Sequence, residues 1–268
     1  MTPISVVIIT FNEEKNIERC LESVKNIADE IVVLDSFSTD KTEEICKKFG
    51  VRFFQHPFDD FIAQKNRALA YARYPHVLSL DADEVLSTKL YNSIKEVKEN
   101  WQADGYYFNR LTNYCGKWIK HCGWYPDQKL RLWDTRKGKW EGYKIHEKVE
   151  LVSGSTQMHL KGDLLHYSYH SISGHAKQAN SFTNITAEAA FNRGKRSSIL
   201  KIWIFPKWKF FRDYIIKRGF LDGYYGYVVC KISSYATFLK YVKMRQMQIE
   251  NSEREKVQGK RYKWGTGR

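Results

Sequence analysis

The sequence contains no uninterrupted apolar run of about 18 residues, the length a helix needs to cross a bilayer, so no spanning helix is expected. It has only five cysteines, at positions 20, 46, 115, 122 and 230, with no C-x-x-C pair and one left over. That argues against a disulfide framework and against the common zinc spacings, and for ordinary buried thiols in a reducing compartment. No G-x-G-x-x-G follows the first strand-like run, and no G-x-x-x-x-G-K-[ST] occurs anywhere. A glycine cradle for phosphates is therefore missing, and any phosphorylated ligand needs another partner for its charge. The first residues show no basic stretch leading to a cleavage site, and a secretory leader is not expected.

Acid is scarce at one end only. From Lys195 onward there are 18 Lys/Arg against 5 Asp/Glu, whereas the first 194 residues carry 26 against 25. The net charge of +14 thus belongs almost wholly to an appendage. A nucleic-acid-binding protein is the other class that such a charge suggests. It would interleave basic residues across the main fold, and the near-neutral first 194 residues count against it. With 43% hydrophobic and 15% aromatic residues, the chain has the composition of a folded protein.

What is present in the first hundred residues is an alternation of strand and helix signals. "ISVVIIT" is a continuous β-branched run, as in a strand covered on both faces of a parallel sheet. Asn12 is placed to cap a helix, with Glu13 and Glu14 in its first turn and Ile17, Cys20, Leu21, Val24 and Ile27 at helical spacing. "EIVVLDS" reads as a second strand, with Ser38 or Thr39 capping "KTEEICKKF" and Gly50 ending it. "VRFFQH", "FIAQKNRALAYA" and "HVLSL" continue as strand, helix and strand. This order predicts an α/β fold with an open, mostly parallel, Rossmann-like sheet and helices on both faces.

In such sheets the ligand crevice lies at the carboxyl ends of the strands. Three of the four strands end in ligand-capable residues: Thr10 and Asn12, then Asp35, then Asp81 and Asp83. On an extended segment Asp81 and Asp83 point to one side. Two hard oxygen ligands there suit Mg²⁺ or Mn²⁺, typically shared with substrate phosphates. The bland alternative is a solvated acidic turn before the next helix.

"VVIITFNEEKNIERCLESV", "IVVLDSFSTDKT", "QKNRAL" and "VLSLDADE", in this order, resemble family 2 inverting glycosyltransferases of the GT-A fold. Among these they are similar to the lipopolysaccharide-core β-1,4-glucosyltransferases that act on heptose. The resemblance covers about the first 170 residues and implies a UDP-sugar donor, with a divalent cation, Mg²⁺ or Mn²⁺, as cofactor. It implies that Thr10, Phe11, Asn12 and Glu13 line the nucleotide pocket and that Asp35 accepts from the uracil ring. Lys65, Asn66 and Arg67 match the segment near the nucleotide and its diphosphate. Asp81 lies by the ribose and sugar, and Asp83 is the main metal-coordinating carboxylate.

The second segment holds the acceptor half. "GWYPDQKLRLWD" and "KWEGYKIHEKVE" are similar to the acceptor segments of the same family, which implies Glu147 as general base with Asp127 as the alternative. His146 orients that base or meets the diphosphate, and Trp124, Arg131 and Trp140 are acceptor candidates, with core packing the default for tryptophan. The commonest family pattern has an Asp after a Glu at the base position, and this chain departs from it. In "LLHYSYHS" His166 is the choice to complete the metal site, ahead of His170.

The expected organisation is residues 1–194 as the GT-A domain, divided into a donor half, 1–100, and an acceptor half, 101–194. Residues 195–268 form a basic, aromatic helical region. "ILKIWIFPKWKFFRDYIIKRGF" has the composition of an interfacial segment on an anionic membrane surface, with Pro206 and Gly219 as breaks between short helices. The expected function is transfer of a hexose to a lipid-linked saccharide at the inner face of the cell membrane. Polyprenyl phosphate, capsule or protein acceptors, and a sugar-binding module without activity, are the alternatives.

Overall fold

The computed structural model describes the backbone of residues 1–143 and 146–265, and side chains except at 143, 146 and beyond 254. The chain forms two compact units, one of residues 1–113 and 125–168, the other of 114–124 and 169–268.

The first unit is built on an α/β sheet. Its strands are β1 (Ile4–Thr10), β2 (Glu30–Asp35), β3 (Arg52–Gln55), β4 (His76–Asp81), β5 (Glu84–Leu86), β6 (Gly105–Tyr114), β8 (Asp127–Asp134) and β11 (Gln157–Tyr169), in the order β3-β2-β1-β4-β8-β6-β11-β5. β7 (Lys117–Ile119) lies in the second unit, and β9 (Gly138–Tyr143) pairs with β10 (His146–Leu151) as a separate ribbon. β3, β2, β1 and β4 are parallel, as the β-branched runs predict; β8 then joins β4 antiparallel, and the sheet is mixed.

Alternation along β1 divides the core. Ile4, Val6 and Ile8 face one layer with α1 (Ile17–Val24) and α4 (Thr88–Glu99), through Ile17, Leu21, Leu90 and Ile94. Val7, with Val32, Leu34 and Val77, faces the other, where Ala68 of α3 (Phe61–Ala70) and Trp133 pack. Both faces of the parallel strands are thereby removed from water, which is why these strands carry unbroken apolar runs.

Two helix starts differ from the expected ones. Asn12 does not cap α1: it sits at φ +53°, and the helix begins at Ile17. The reason is competition for its backbone, because the loop after β1 is tied to the loop after β2. The amides of Asn12, Glu13 and Glu14 donate to Ser38 Oγ (2.8 Å), Thr42 Oγ1 (2.8 Å) and Asp40 Oδ2 (3.0 Å), and Asn12 Oδ1 accepts from the Thr39 amide (2.8 Å). Nor do Ser38 or Thr39 cap α2 (Thr42–Lys48); Asp40 accepts from the Thr42 amide at 3.0 Å instead. Gly50 does follow α2 at φ +64°, the left-handed position that ends a helix.

The second unit is helical: α5 (Ile172–Asn192), α6 (Ile199–Phe211), a π turn (Arg212–Ile216), a 3₁₀ turn (Gly219–Asp222) and the long α7 (Gly223–Gly265). Pro206 does not break α6, which runs through it, while Gly219 does open a new turn. Gly226 of α7 passes so close to this turn that a Cβ would lie 2.0 Å from the Gly219 carbonyl oxygen. Its core is small: Tyr114, Ile119, Cys122, Val229 and Cys230, then Ala187, Ala190 and Met244. All five cysteines of the chain are free thiols.

Candidate active site

β4 ends at Asp81, and a two-residue turn through Ala82 and Asp83 leads into β5. The segment is therefore not extended across the pair, contrary to the expectation that both carboxylates share one side. The two acids have different partners. Asp81 lies 2.9 Å from Lys65 Nζ and 2.9 Å from Arg131 Nη2. Asp83 lies 3.1 Å from His166 Nε2.

Lys65 reaches Asp81 because α3 turns it inward. Asp60 caps this helix by accepting from the Ala63 amide at 2.8 Å, and Gln64, Lys65 and Ala68 form its buried face. The Lys65 side chain is only 2% exposed and also lies 3.4 Å from Glu147 Oε1. Arg131, equally buried on β8, bridges Asp81 and Glu84, the latter at 3.1 Å. Glu84 continues the chain of charge to Arg110 (3.3 Å), and Arg110 to Asp127 (2.8 Å). A buried cation without a partner is unstable, and here each buried cation is held by two carboxylates.

Glu84 was not anticipated as a participant. It is fully buried, accepts from the Asp81 amide at 3.0 Å and so braces the turn that separates the two aspartates. Its signal in the sequence is only that it follows Asp83. Burial by itself would raise the Asp81 pKa, yet the Lys65 and Arg131 charges hold it far below the usual carboxylate range. Glu13 behaves oppositely. Burial pushes its carboxyl up to about 7, the Asn16 amide works against this, and the charges of Asp83, Asp40 and Asp81 add to it.

The other named residues divide as follows. Thr10 Oγ1, at the end of β1, is buried with no hydrogen-bond partner, and Phe11 is 56% exposed beside it in sequence. Asp35 is buried and accepts from the Ser38 amide (2.8 Å) and Gln55 Nε2 (3.3 Å). Asn66 clamps the Trp140 backbone through both ends of its amide, at 2.8 and 3.1 Å, while Arg67 binds Gln64 and Asp59. Trp140 is 3% exposed, in the core beneath Lys65 and Arg131, whose cationic groups lie 4.3 and 5.0 Å from its ring centre. Trp124 belongs to the second unit, packed with Tyr114, Tyr169 and His175. His146 lies on β10, and its side chain is outside the described residues.

Asp127 is engaged by Arg110 and, at 3.0 Å, by Lys129, whereas Glu147 is paired with Lys65 as its one cationic partner among the described residues. Strand pairing sets His166 opposite Glu84, and the Tyr167 amide donates to the Asp83 carbonyl at 2.9 Å, which fixes Asp83 against His166. Asp83 oxygen and His166 nitrogen are donors that fit Mn²⁺ or Mg²⁺. The buried His166 Nδ1 has no hydrogen-bond partner, and no cluster of three metal-binding side chains exists among the described residues. A cation here would draw its remaining ligands from substrate and water.

The chain's similarity to known proteins agrees with its α/β fold. Residues 5–161 match Glycosyl transferase family 2, well over half of the chain, and the chain belongs to that family. It is a glycosyltransferase. An uncharacterized glycosyltransferase of Rickettsia bellii (strain RML369-C) is 31% identical over 257 residues, covering 92% of this chain and 87% of that protein. The lipopolysaccharide core biosynthesis glycosyltransferase LpsC of Rhizobium meliloti (strain 1021) is 27% identical over 256 residues, covering 91% and 92%. A solved structure of glucosyl-3-phosphoglycerate synthase from Mycobacterium tuberculosis, in complex with Mn²⁺, UDP and glucosyl-3-phosphoglycerate, is 24% identical. It matches 42% of this chain and 44% of its own, with a TM-score of 0.36.

Proposed function

We propose that this enzyme transfers a hexose, glucose first, from a UDP-sugar to a lipid-linked saccharide of the lipopolysaccharide inner-core type, with inversion at the anomeric carbon. The observation that carries this reading is the pair of opposed arrangements two residues apart: Asp83 against His166, and Asp81 with Glu147 around the buried Lys65. The printed name of LpsC supports the acceptor class. Donor binding is assigned to residues 1–100 and the acceptor to 101–194.

In this mechanism Glu147 takes the proton of the acceptor hydroxyl. A new C–O bond forms at the anomeric carbon while the bond to the diphosphate breaks, and its electron pair leaves with the nucleoside diphosphate. Lys65, itself buried, gives both Glu147 and Asp81 a fixed positive neighbour. Arg131 and Glu84 hold Asp81 in place for the donor's ribose and sugar. Thr10, Phe11 and Asp35 receive the nucleoside. Asp83 and His166 would hold Mg²⁺ or Mn²⁺, which would supply Lewis-acid stabilisation of the leaving diphosphate.

Residues 195–268 bring the enzyme to the inner face of the cell membrane as a peripheral protein. No described helix is long and apolar enough to cross a membrane. Instead α6 and the turns after it expose Ile199, Leu200, Trp203, Ile204, Trp208 and Phe211, all at least 48% accessible. Cations at Lys201, Lys207 and Arg212 lie among them, a pairing suited to the headgroup boundary of an anionic bilayer. The test is a screen of UDP- and GDP-sugars for release of nucleoside diphosphate, with Mn²⁺ or EDTA, and with heptose oligosaccharide or polyprenyl phosphate as acceptor. UDP-glucose turnover that needs both Mn²⁺ and the heptose acceptor is expected. Full turnover in EDTA overturns the metal role, and transfer to polyprenyl phosphate alone overturns the acceptor.

A further inference from the structure

The second unit contains a cavity of about 340 Å³ walled by α5, α6 and α7, and nothing in the transfer reaction uses it. Its size falls within the range of small-ligand sites. The two lysines that line it differ. Lys209 of α6 is paired with Asp213 at 2.6 Å. Lys240 of α7 is half-buried and has no ion-pair partner among the described residues. Burial, with the nearby charges of Lys195 and Arg193, depresses the Lys240 pKa, the sign of a cation lacking its anion.

A second group in the same cavity is also unsatisfied. The amide oxygen of Gln178 is enclosed and accepts no hydrogen bond from the described residues. A buried acceptor in this state costs about 1–3 kcal/mol relative to a paired one. His175 does not compensate Lys240. Burial pushes its pKa down to about 4, so it is neutral at pH 7, and its Nδ1 is engaged with the Tyr114 hydroxyl at 3.0 Å. The remaining wall is apolar at Phe182, Ile232 and Ala236, and Phe182 is 47% exposed at the surface. One helix, α6, thus lines this cavity through Lys209 and also carries the exposed Trp203 and Trp208.

An unpaired cation, an unfilled acceptor and an apolar wall in one cavity match an anion that carries both a hydroxyl and a hydrocarbon. We propose that the cavity binds the glycerophosphate headgroup of an anionic phospholipid, its phosphate against Lys240 and a headgroup hydroxyl donating to Gln178. The source of the ligand rests on the membrane-surface reading above; the chemistry of the cavity does not.

The test is calorimetric titration of the full chain with dihexanoyl-phosphatidylglycerol below its micelle concentration. Lys240→Met weakens binding by about tenfold or more, the loss of one charge-assisted contact, and Gln178→Leu weakens it by a smaller factor. Lys47→Met, an exposed position on α2 in the other unit, leaves it unchanged, and thermal melts verify that each variant is folded. Equal affinity of wild type and Lys240→Met, or no binding by wild type, overturns the site. Inorganic phosphate binding as tightly as the lipid overturns the headgroup assignment. In a separate arm, Trp203→Ser/Trp208→Ser is sedimented with phosphatidylglycerol vesicles. Undiminished vesicle binding overturns the membrane reading and leaves the titration result standing.

Discussion

The two units solve opposite problems. The first unit buries charge: Lys65, Arg131 and Glu84 are each less than 5% exposed, and every one has an opposite charge within 3.4 Å. The second unit displays hydrocarbon: Ile199, Leu200, Trp203 and Tyr224 are each at least 64% exposed. Burying ions costs several kcal/mol each and is retained where geometry must be held. Exposing a contiguous apolar surface has a similar cost in water and is retained where something apolar covers it. If the proposed function holds, catalytic positioning and surface attachment are carried by different residues, and mutations should separate them.

The largest separation comes from Asp83→Ala. Transfer falls by about 10³-fold, the scale of losing several kcal/mol of charge stabilisation, while vesicle sedimentation is unchanged. Glu147→Gln lowers kcat by about 10²–10³-fold, within the range for loss of a general base, and Asp127→Asn lowers it by less than about tenfold. The reverse order moves the base to Asp127. Lys65→Met lowers the unfolding free energy by about 3 kcal/mol in urea, because Glu147 loses its cationic partner among the described residues and Asp81 loses one of its two. The exposed Lys201→Met in the other unit changes it by less than about 0.5 kcal/mol.

The smallest effect is one of pH. The Glu13 carboxyl is raised from 4.5 to about 7, so the folded state holds its proton more tightly than the unfolded chain does. Its contribution to stability is complete below pH 4.5 and is lost as pH rises through about 7. In EDTA, wild type therefore loses about 1 kcal/mol relative to Glu13→Gln between pH 5 and pH 8, a figure reduced for screening at a partly open site. Parallel urea curves for the two proteins at both pH values check the sign.

The parallel half of the sheet was legible because a strand covered on both faces must be apolar at every position, and "ISVVIIT" and "IVVL" can hardly be anything else. Gly50, likewise, announces the end of α2. The family was legible in an ordered set of polar strand ends, and the family they implied is the family found. What stayed hidden has one physical character: it depends on partners far away in sequence. Lysine is solvated by default, so only the fold reveals that Lys65 points inward to Asp81 and Glu147. Glu84 beside two aspartates looks like one more metal-facing acid until Arg131 and Arg110 arrive from other strands. Asn12 has the look of a helix cap because its true partners, Ser38 and Thr39, lie 26 and 27 residues downstream. Pro206 carries a local penalty that α6 tolerates.

The ties between the loops after β1 and β2 also bear on the speed of the enzyme. Three main-chain amides and one side-chain amide fasten these loops, so folding has already restricted the backbone that, on the proposed function, a nucleoside would otherwise have to organise. On the proposed function, differences in affinity among sugar nucleotides would then reside mainly in how long each one stays.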